Sequence, residues 1–477
     1  MQTLYRNTSG VGIMSNEFDY LVIGAGPGGY VSAIRAAQLG LKSAIIEREH
    51  FGGICLNWGC IPTKALLRSA EVLEFHHHAA NYGVKSSGAT ADLPAMVKRS
   101  RDIAKQLNQG VQHLLKKNKV QSFMGSARLT GNNEVTATDK AGKTTIIKAK
   151  KIVIATGARA RILPGMEPDG DKIMSYREAM VAEAIPSHLV VVGTGAIGVE
   201  FASFYRALGA EVTLVEMLDR ILPAEDAEIA AMAAKSFEKR GMKIRNNAKV
   251  SDVKKISEGL EITIETKSGE EKLKASHLLS AVGVVANIED IGLEDLSIAT
   301  DRGCIKVNAQ CQTNIPHIYA IGDVTAGPWL AHKASHEGVI AAEHAAGQHP
   351  HELEKLRIPG CTYANPQIAS IGHHEESAKA AGYDVRVGRF PFMGNGKALA
   401  LGEPEGMVKT IFDKKTGELL GAHMIGAEVT ELIQGFAVAI GLETTEEDLM
   451  NIVFPHPTLS EMMHESVLGA YGRAIHI

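Results

Sequence analysis

Between Gly52 and Lys64 the chain reads GGICLNWGCIPTK, which places Cys55 and Cys60 with four residues between them. A disulfide closing so small a ring, if strained or accessible, is reducible rather than a structural staple. The reactive form of a thiol is the thiolate, which a nearby cation or a helix N-terminus favours. Pro62 suits the first turn of a helix, and Lys64 then lies one turn beyond Cys60 on the same face. Two inert buried thiols would be a plainer account. Half of a zinc site is another, although no second ligand pair stands at suitable spacing. Reversible redox exchange is favoured by what surrounds the pair.

Thiol chemistry also needs a base. Near the C-terminus Phe454-Pro455-His456-Pro457-Thr458-Leu459-Ser460-Glu461 sets a histidine between prolines, which hold its backbone extended. Glu461 follows at a distance that lets the loop turn back and orient the imidazole, an arrangement suited to a general base near neutral pH. His456 stands out among 19 histidines by this rigid setting and acidic neighbour. His76-His77-His78 falls on a helix-like run where adjacent positions point apart, so surface residues are expected there and no metal site. Cys304, Cys311 and Cys361 are expected as half-buried strand or loop thiols, and Trp58 and Trp329 as core packing.

The elements that must position these groups occur twice. The strand Tyr20–Ile23 runs into Gly24-Ala25-Gly26-Pro27-Gly28-Gly29, then a helix-like run to Leu39, Gly40, and the strand Ser43–Ile46 ending in Glu47. Leu189–Val192 leads likewise into Gly193-Thr194-Gly195-Ala196-Ile197-Gly198, a helix-like run to Leu208, and Val212–Val215 ending in Glu216. In each copy the first glycine permits a tight turn, the second (Gly26, Gly195) lets backbone approach a pyrophosphate, and the third (Gly29, Gly198) allows close helix packing. The acid accepts from a ribose hydroxyl. Each copy is followed by hairpin-like strands, with turns at Gly131-Asn132-Asn133 and Lys267-Ser268-Gly269, and by a returning apolar strand. Two dinucleotides are therefore expected. Glu216 prefers an unphosphorylated ribose, and the first basic residue, Arg220, is four positions on, so NAD is favoured over NADP at the second site. A flavin can mediate between hydride and dithiol chemistry, so FAD at the first site follows as chemistry.

Composition is that of a globular protein of two to four domains in 477 residues. A formal charge of −4, from 50 basic and 54 acidic residues, argues against nucleic-acid or anionic-membrane surfaces. No apolar run approaches a membrane span, and the opening residues lack a signal peptide's apolar core. Met14 sits just before the first strand, so the residues ahead of it would be a tail or an upstream start. Five cysteines in so long a chain point to a reducing compartment rather than a secreted framework. Beyond Leu356 the pattern changes to an α+β domain, with a strand at Met407–Phe412 and helical segments near Val429–Ile440 and Glu446–Met450.

This combination resembles the pyridine nucleotide–disulfide oxidoreductase family from about Phe18 onward. The family's GGxCxNxGCxPxK pattern is GGICLNWGCIPTK here, its HPTxxE is HPTLSE, and Ala331-His332-Lys333-Ala334 matches its AHKA segment. The resemblance implies an α/β fold: two Rossmann-like dinucleotide-binding domains, for FAD and NAD, plus a C-terminal α+β dimerisation domain. The expected boundaries are 15–157 for the FAD domain with its redox disulfide and 158–286 for the NAD domain. A central segment, 287–357, completes the FAD domain, and 358–477 forms the interface. By resemblance Cys55 exchanges with substrate, Cys60 faces the flavin, and Lys64 approaches the flavin ring and pairs with Glu200. Gly125, Thr156, Asp323 and Ala331 would contact FAD, and Val250 and Gly283 NAD. The active site would be shared across a homodimer, with His456 and Glu461 supplied by the partner subunit. The implied activity is oxidation of dihydrolipoamide, carried on the lipoyl domain of a 2-oxo acid dehydrogenase complex acyltransferase, with NAD as acceptor. One departure is Val284, where many relatives carry an arginine; it bears on contacts near the nicotinamide, not on the reaction. Two other readings are an NADPH-dependent reductase of another disulfide such as glutathione, opposed by Glu216, and a non-catalytic nucleotide-binding redox sensor. The complete set of Cys55, Cys60, Lys64, His456 and Glu461 opposes the latter.

Overall fold

A computed structural model describes residues 16–477, so Met14 and the residues around it lie outside the description. The chain is mixed α/β and divides into two compact units. The first gathers three separated stretches, up to Gly53, Gly110–Gly157 and Ala286–Glu352; the second holds Ile54–Gln109, Ala158–Val285 and Leu353–Ile477.

The first unit is built on a seven-stranded sheet. Its parallel core pairs Glu17–Ile23 with Ser43–Glu47 on one side and Thr144–Ile154 on the other, in register Ile23↔Ile46 and Ile23↔Ile154. Strands covered on both faces carry continuous apolar runs, and Leu21, Val22, Ile45, Ile152 and Val153 are fully buried accordingly. Ile318–Ala320 joins the same sheet beside Thr144–Ile154. Helices Pro27–Gln38 and Ala331–Ala345 pack together, and a β-carbon on Gly338 would fall 2.5 Å from the Gly28 carbonyl oxygen. Only glycine permits so close a crossing.

In the second unit a parallel sheet runs in the order Lys243–Arg245, Glu211–Val215, His188–Val192, His277–Ser280, Ile173–Met174. Helix Ala196–Ala207 turns Val199, Phe201, Phe204 and Tyr205 into the core, which also receives Leu66, Ala70 and Leu73 from helix Cys60–His77. A three-stranded antiparallel meander, Lys249–Ile256, Gly259–Thr266 and Gly269–Ala275, covers a second cluster. The last stretch forms a five-stranded antiparallel sheet centred on Leu419–Gly426, covered by helices Val429–Gly441 and Glu461–Ala470.

Several sequence expectations change here. Cys311 is fully buried rather than half-buried, and burial pushes its thiol far above the usual range. Trp329 is 40% exposed, not core. Cys304 and Cys361 are half-buried. No helix among the described residues is long and apolar enough to cross a membrane.

One charged group sits inside the second unit. Lys409, 2% exposed, reaches Asp226 at 2.9 Å and Glu228 and Glu375 at 3.1 Å. Burial opposes its charge, but the three carboxylates prevail and hold its pKa above the ordinary lysine value. Lys409→Met would strand Asp226, itself 2% exposed, without a counter-charge. Denaturant unfolding is expected to show a loss of about 3–5 kcal/mol. A loss below about 1 kcal/mol would mean that the ion cluster is no better than a surface pair.

Candidate active site

Cys55 lies in the short helix Gly53–Trp58, and Cys60 is the first residue of the long helix Cys60–His77, with Gly59 alone between them. Both are half-buried. A hydrogen bond with Cys55 lowers the Cys60 pKa; burial opposes this, Lys64 assists it, and the net shift is downward. A helix N-terminus also favours a thiolate. The Lys64 ammonium donates to both oxygens of Glu200 at 2.8 Å and stands 4.4 Å from the Tyr363 ring centroid. The Tyr363 amide donates to the same carboxylate at 2.9 Å. Cys55, Cys60, Lys64 and Glu200 thus form one electrostatic group.

The two glycine loops are alike in their physics. Gly24 and Gly193 have φ of +100° and +91°, and a β-carbon on either would lie 2.3 or 2.5 Å from the carbonyl oxygen of Ala155 or Ala281. On Gly29 or Gly198 it would lie 1.9 or 2.0 Å from the oxygen of that first glycine. At Gly26 and Gly195 it would meet nothing within 4 Å. The first and third glycines of each loop close the turn, and the second faces open space. Each strand-end acid ties its loop: Glu47 accepts from the Ala25 amide at 2.8 Å, and Glu216 from the Thr194 amide at 3.0 Å and hydroxyl at 2.6 Å. Sequence reasoning assigned these acids only to a ribose; the geometry adds a second duty.

Gly125, Thr156, Asp323 and Ala331 all lie in the first unit. The Gly125 amide donates to the Glu47 carbonyl at 2.8 Å. The Thr156 hydroxyl donates to the Asn287 carbonyl at 2.7 Å, and the Asn287 side-chain amide returns a bond to the Thr156 carbonyl at 2.9 Å. Ala331 opens helix Ala331–Ala345. From that helix Lys333, 1% exposed, pairs with Glu337 at 3.0 Å. Lys333 donates to the Gly322 carbonyl at 3.3 Å and the Thr325 hydroxyl at 3.0 Å, while Glu337 accepts from the Gly322 amide at 2.7 Å. The pair clamps both peptide groups of the residue before Asp323, whose carboxyl burial pushes up to about 6. The lysine of AHKA has this structural duty, which the motif alone did not reveal; its one visible signal was the i, i+4 spacing to Glu337.

In the second unit Gly283 has φ of +99° and accepts from the Arg161 amide at 3.0 Å, and Val250 packs against the meander's core. His456 Nδ1 stands 3.0 Å from Glu461 Oε1, and the other Glu461 oxygen accepts from the Thr458 amide at 2.9 Å. Burial works against the Glu461 charge, but the Thr458 amide and His456 hold its pKa low. The imidazole itself is 79% exposed. His76 and His77 bond to the backbone carbonyls of Ser87 and Ala89, and no group of three metal-ligating side chains occurs among the described residues.

Residues 18–338 match the family model described as pyridine nucleotide-disulphide oxidoreductase, and residues 358–467 match that family's dimerisation domain. The chain belongs to this family. It is 55% identical to a dihydrolipoyl dehydrogenase of Rhizobium etli, over 97% of this chain and 100% of that one. Among solved structures it resembles LpdA from Mycobacterium tuberculosis, with a TM-score of 0.89 and 30% identity over 94% of this chain and 99% of that one. It also resembles the flavoprotein disulfide reductase RclA from Escherichia coli, with a TM-score of 0.84 and 25% identity over the same shares.

Two measurements test this geometry. Because Lys64 lowers and Glu200 raises the Cys60 pKa, Lys64→Met is expected to move the pH midpoint of Cys60 alkylation upward and Glu200→Gln downward. Shifts of one sign in both variants would refute the electrostatic account. Asp323 has a folded pKa above its unfolded value, so the folded state keeps a proton that the unfolded state releases, and stability falls as pH rises from about 4 to 6. Asp323→Asn should flatten that segment of the thermal midpoint profile while weakening retention of the dinucleotide. Unchanged retention would remove Asp323 from the binding site.

Proposed function

We propose that the chain oxidises protein-bound dihydrolipoamide to lipoamide, with NAD⁺ as final acceptor, through Cys55 and Cys60. The carrying observation is the depressed Cys60 thiol beside Cys55, at a helix N-terminus with Lys64 one turn on. A sulfur that leaves readily as thiolate is what disulfide exchange requires. The substrate class comes from the Rhizobium relative's name.

The residues fit two dinucleotides. The open face at Gly26, with Gly24, Gly29, Glu47, Gly125, Thr156, Asp323 and Ala331, would hold FAD. The face at Gly195, with Gly193, Gly198, Glu216, Val250 and Gly283, would hold NAD. A flavin held at the Gly26 face would supply two-electron chemistry between the reduced thiols and the hydride acceptor NAD⁺. With Nδ1 turned to Glu461, neutral His456 carries its proton there and leaves Nε2 to accept one from a substrate thiol. The substrate thiolate attacks Cys55 Sγ; the Cys55–Cys60 bond breaks, a mixed disulfide forms, and Cys60 leaves as thiolate. The second substrate thiol attacks its own partner sulfur and displaces Cys55, whose departing sulfur takes up the proton that this thiol gives up. Lipoamide departs as the ring disulfide, and the Cys55–Cys60 dithiol remains, carrying two electrons.

The dimerisation-domain match supports a homodimer, and the exposed His456 imidazole supports its service to the dithiol of a second subunit. The lipoyl domain of a 2-oxo acid dehydrogenase complex acyltransferase is the proposed carrier, in a bacterial cytoplasm or mitochondrial matrix. Residues 15–157 with 287–357, 158–286 and 358–477 are the proposed FAD, NAD and interface domains.

Steady-state turnover of dihydrolipoamide is the test, with NAD⁺, with NADP⁺, and in His456→Ala. NADH should form rapidly with NAD⁺ alone, and His456→Ala should slow it about 10²–10⁴-fold with flavin still bound. An inert dihydrolipoamide beside fast NAD(P)H-driven reduction of another disulfide would overturn the substrate assignment and leave the dithiol standing.

A further inference from the structure

The redox motif carries an aromatic residue that neither nucleotide binding nor thiol exchange uses. Trp58 closes the short helix that bears Cys55 and lies two residues before Cys60. Two guanidinium groups stand against its ring: Arg101 at 4.7 Å and Arg177 at 5.1 Å from the centroid. Arg101 extends from helix Leu93–Lys117, and Arg177 from helix Tyr176–Met180, whose start is fixed by a capping box between Ser175 and Glu178. Arg101 also donates Nη1 to the Asn57 carbonyl at 2.6 Å and Nη2 to the Met180 sulfur at 3.2 Å. The carbonyls of a helix's last turn have no partner within the helix, and a cation there satisfies them. Among the described residues the buried Trp58 indole N–H has no hydrogen-bond partner, so stacking and packing, not hydrogen bonding, fix the ring.

This grip bears on the thiols through one joint. Gly59 alone separates the helix of Cys55 from the helix of Cys60, so whatever fixes Asn57 and Trp58 fixes the angle between them. We propose that Arg101 is a positioning residue for the redox pair: by holding the Asn57 carbonyl and the Trp58 ring it keeps the two sulfurs within bonding reach. Arg101 thereby sets how strongly the disulfide is favoured. The inference rests on the reading of Cys55–Cys60 as the exchanging pair. Two thiols held together have a higher effective concentration toward each other than two on a loose joint, and ring closure gains accordingly.

The test equilibrates the full-length, flavin-containing protein with oxidised and reduced dithiothreitol. The two cysteine S–H groups form one S–S bond, and their two electrons and two protons pass to the dithiothreitol disulfide. Acid quenching, alkylation and mass spectrometry of the Cys55–Cys60 peptide give the equilibrium constant. Arg101→Met is expected to disfavour the protein disulfide about tenfold, equivalent to ~30 mV. Arg101→Lys keeps the cation but loses the fork, and should fall between Arg101→Met and the unsubstituted protein. If Arg101→Met lowers the thermal midpoint yet leaves the constant within about twofold, Arg101 is merely structural and the proposal falls. If the unsubstituted protein forms no Cys55–Cys60 disulfide, this proposal and the redox reading fall together. Should Arg101→Met not fold, Arg177→Met examines the same grip from the other helix, with the same two outcomes.

Discussion

Each glycine loop depends on a distance too short for any side chain. The carbonyl oxygen of Gly24 stands where the β-carbon of a residue at position 29 would be, and Gly193 and Gly198 repeat the relation. With no carbon there, the helix starts directly against the turn, and its first amides face the open side at Gly26 or Gly195. The strand-end acids then bind the loop from the other side, through the amides of Ala25 and Thr194. Rigid loops and open faces have the same cause.

A second principle is the placing of charge where burial opposes it. Lys409, Lys333 and Glu200 are all buried, and each is held by an opposite charge within 3.0 Å. Such pairs add little net stability over apolar packing but tolerate no loss of one partner. They therefore specify geometry. At the thiol pair the same principle serves chemistry, because Lys64 is near enough to favour a thiolate and Glu200 limits how far.

The parts most legible in the sequence were those with a fixed local grammar. Glycine spacing, strand periodicity and the acid at the strand end located both glycine loops, and GGICLNWGCIPTK and HPTLSE located the paired thiols and the His456–Glu461 contact. Lys333–Glu337, Asn287 and Tyr363 were not legible. Their roles arise from contacts between residues far apart in the chain, such as the Asn287 amide with Thr156, and no local pattern encodes them. Trp329 was misjudged for the opposite reason: a large aromatic has a strong prior for the core, and only the fold shows that its loop lies at the surface.

The first compact unit is assembled from three stretches of chain, and helix Pro27–Gln38 rests on a helix some 300 residues later, crossing at Gly28 and Gly338. During synthesis, the opening strand–loop–helix emerges long before Ile318–Ala320 can pair with the sheet or Ala331–Ala345 can cover it. At about 5–20 residues per second, this half-built sheet waits many seconds with apolar surface uncovered. High contact order of this kind slows folding and exposes strand edges to wrong pairing. The same closing stretch brings Asp323 and the Lys333–Glu337 clamp. The first unit's sheet and the helix that covers it are therefore completed together, late in translation.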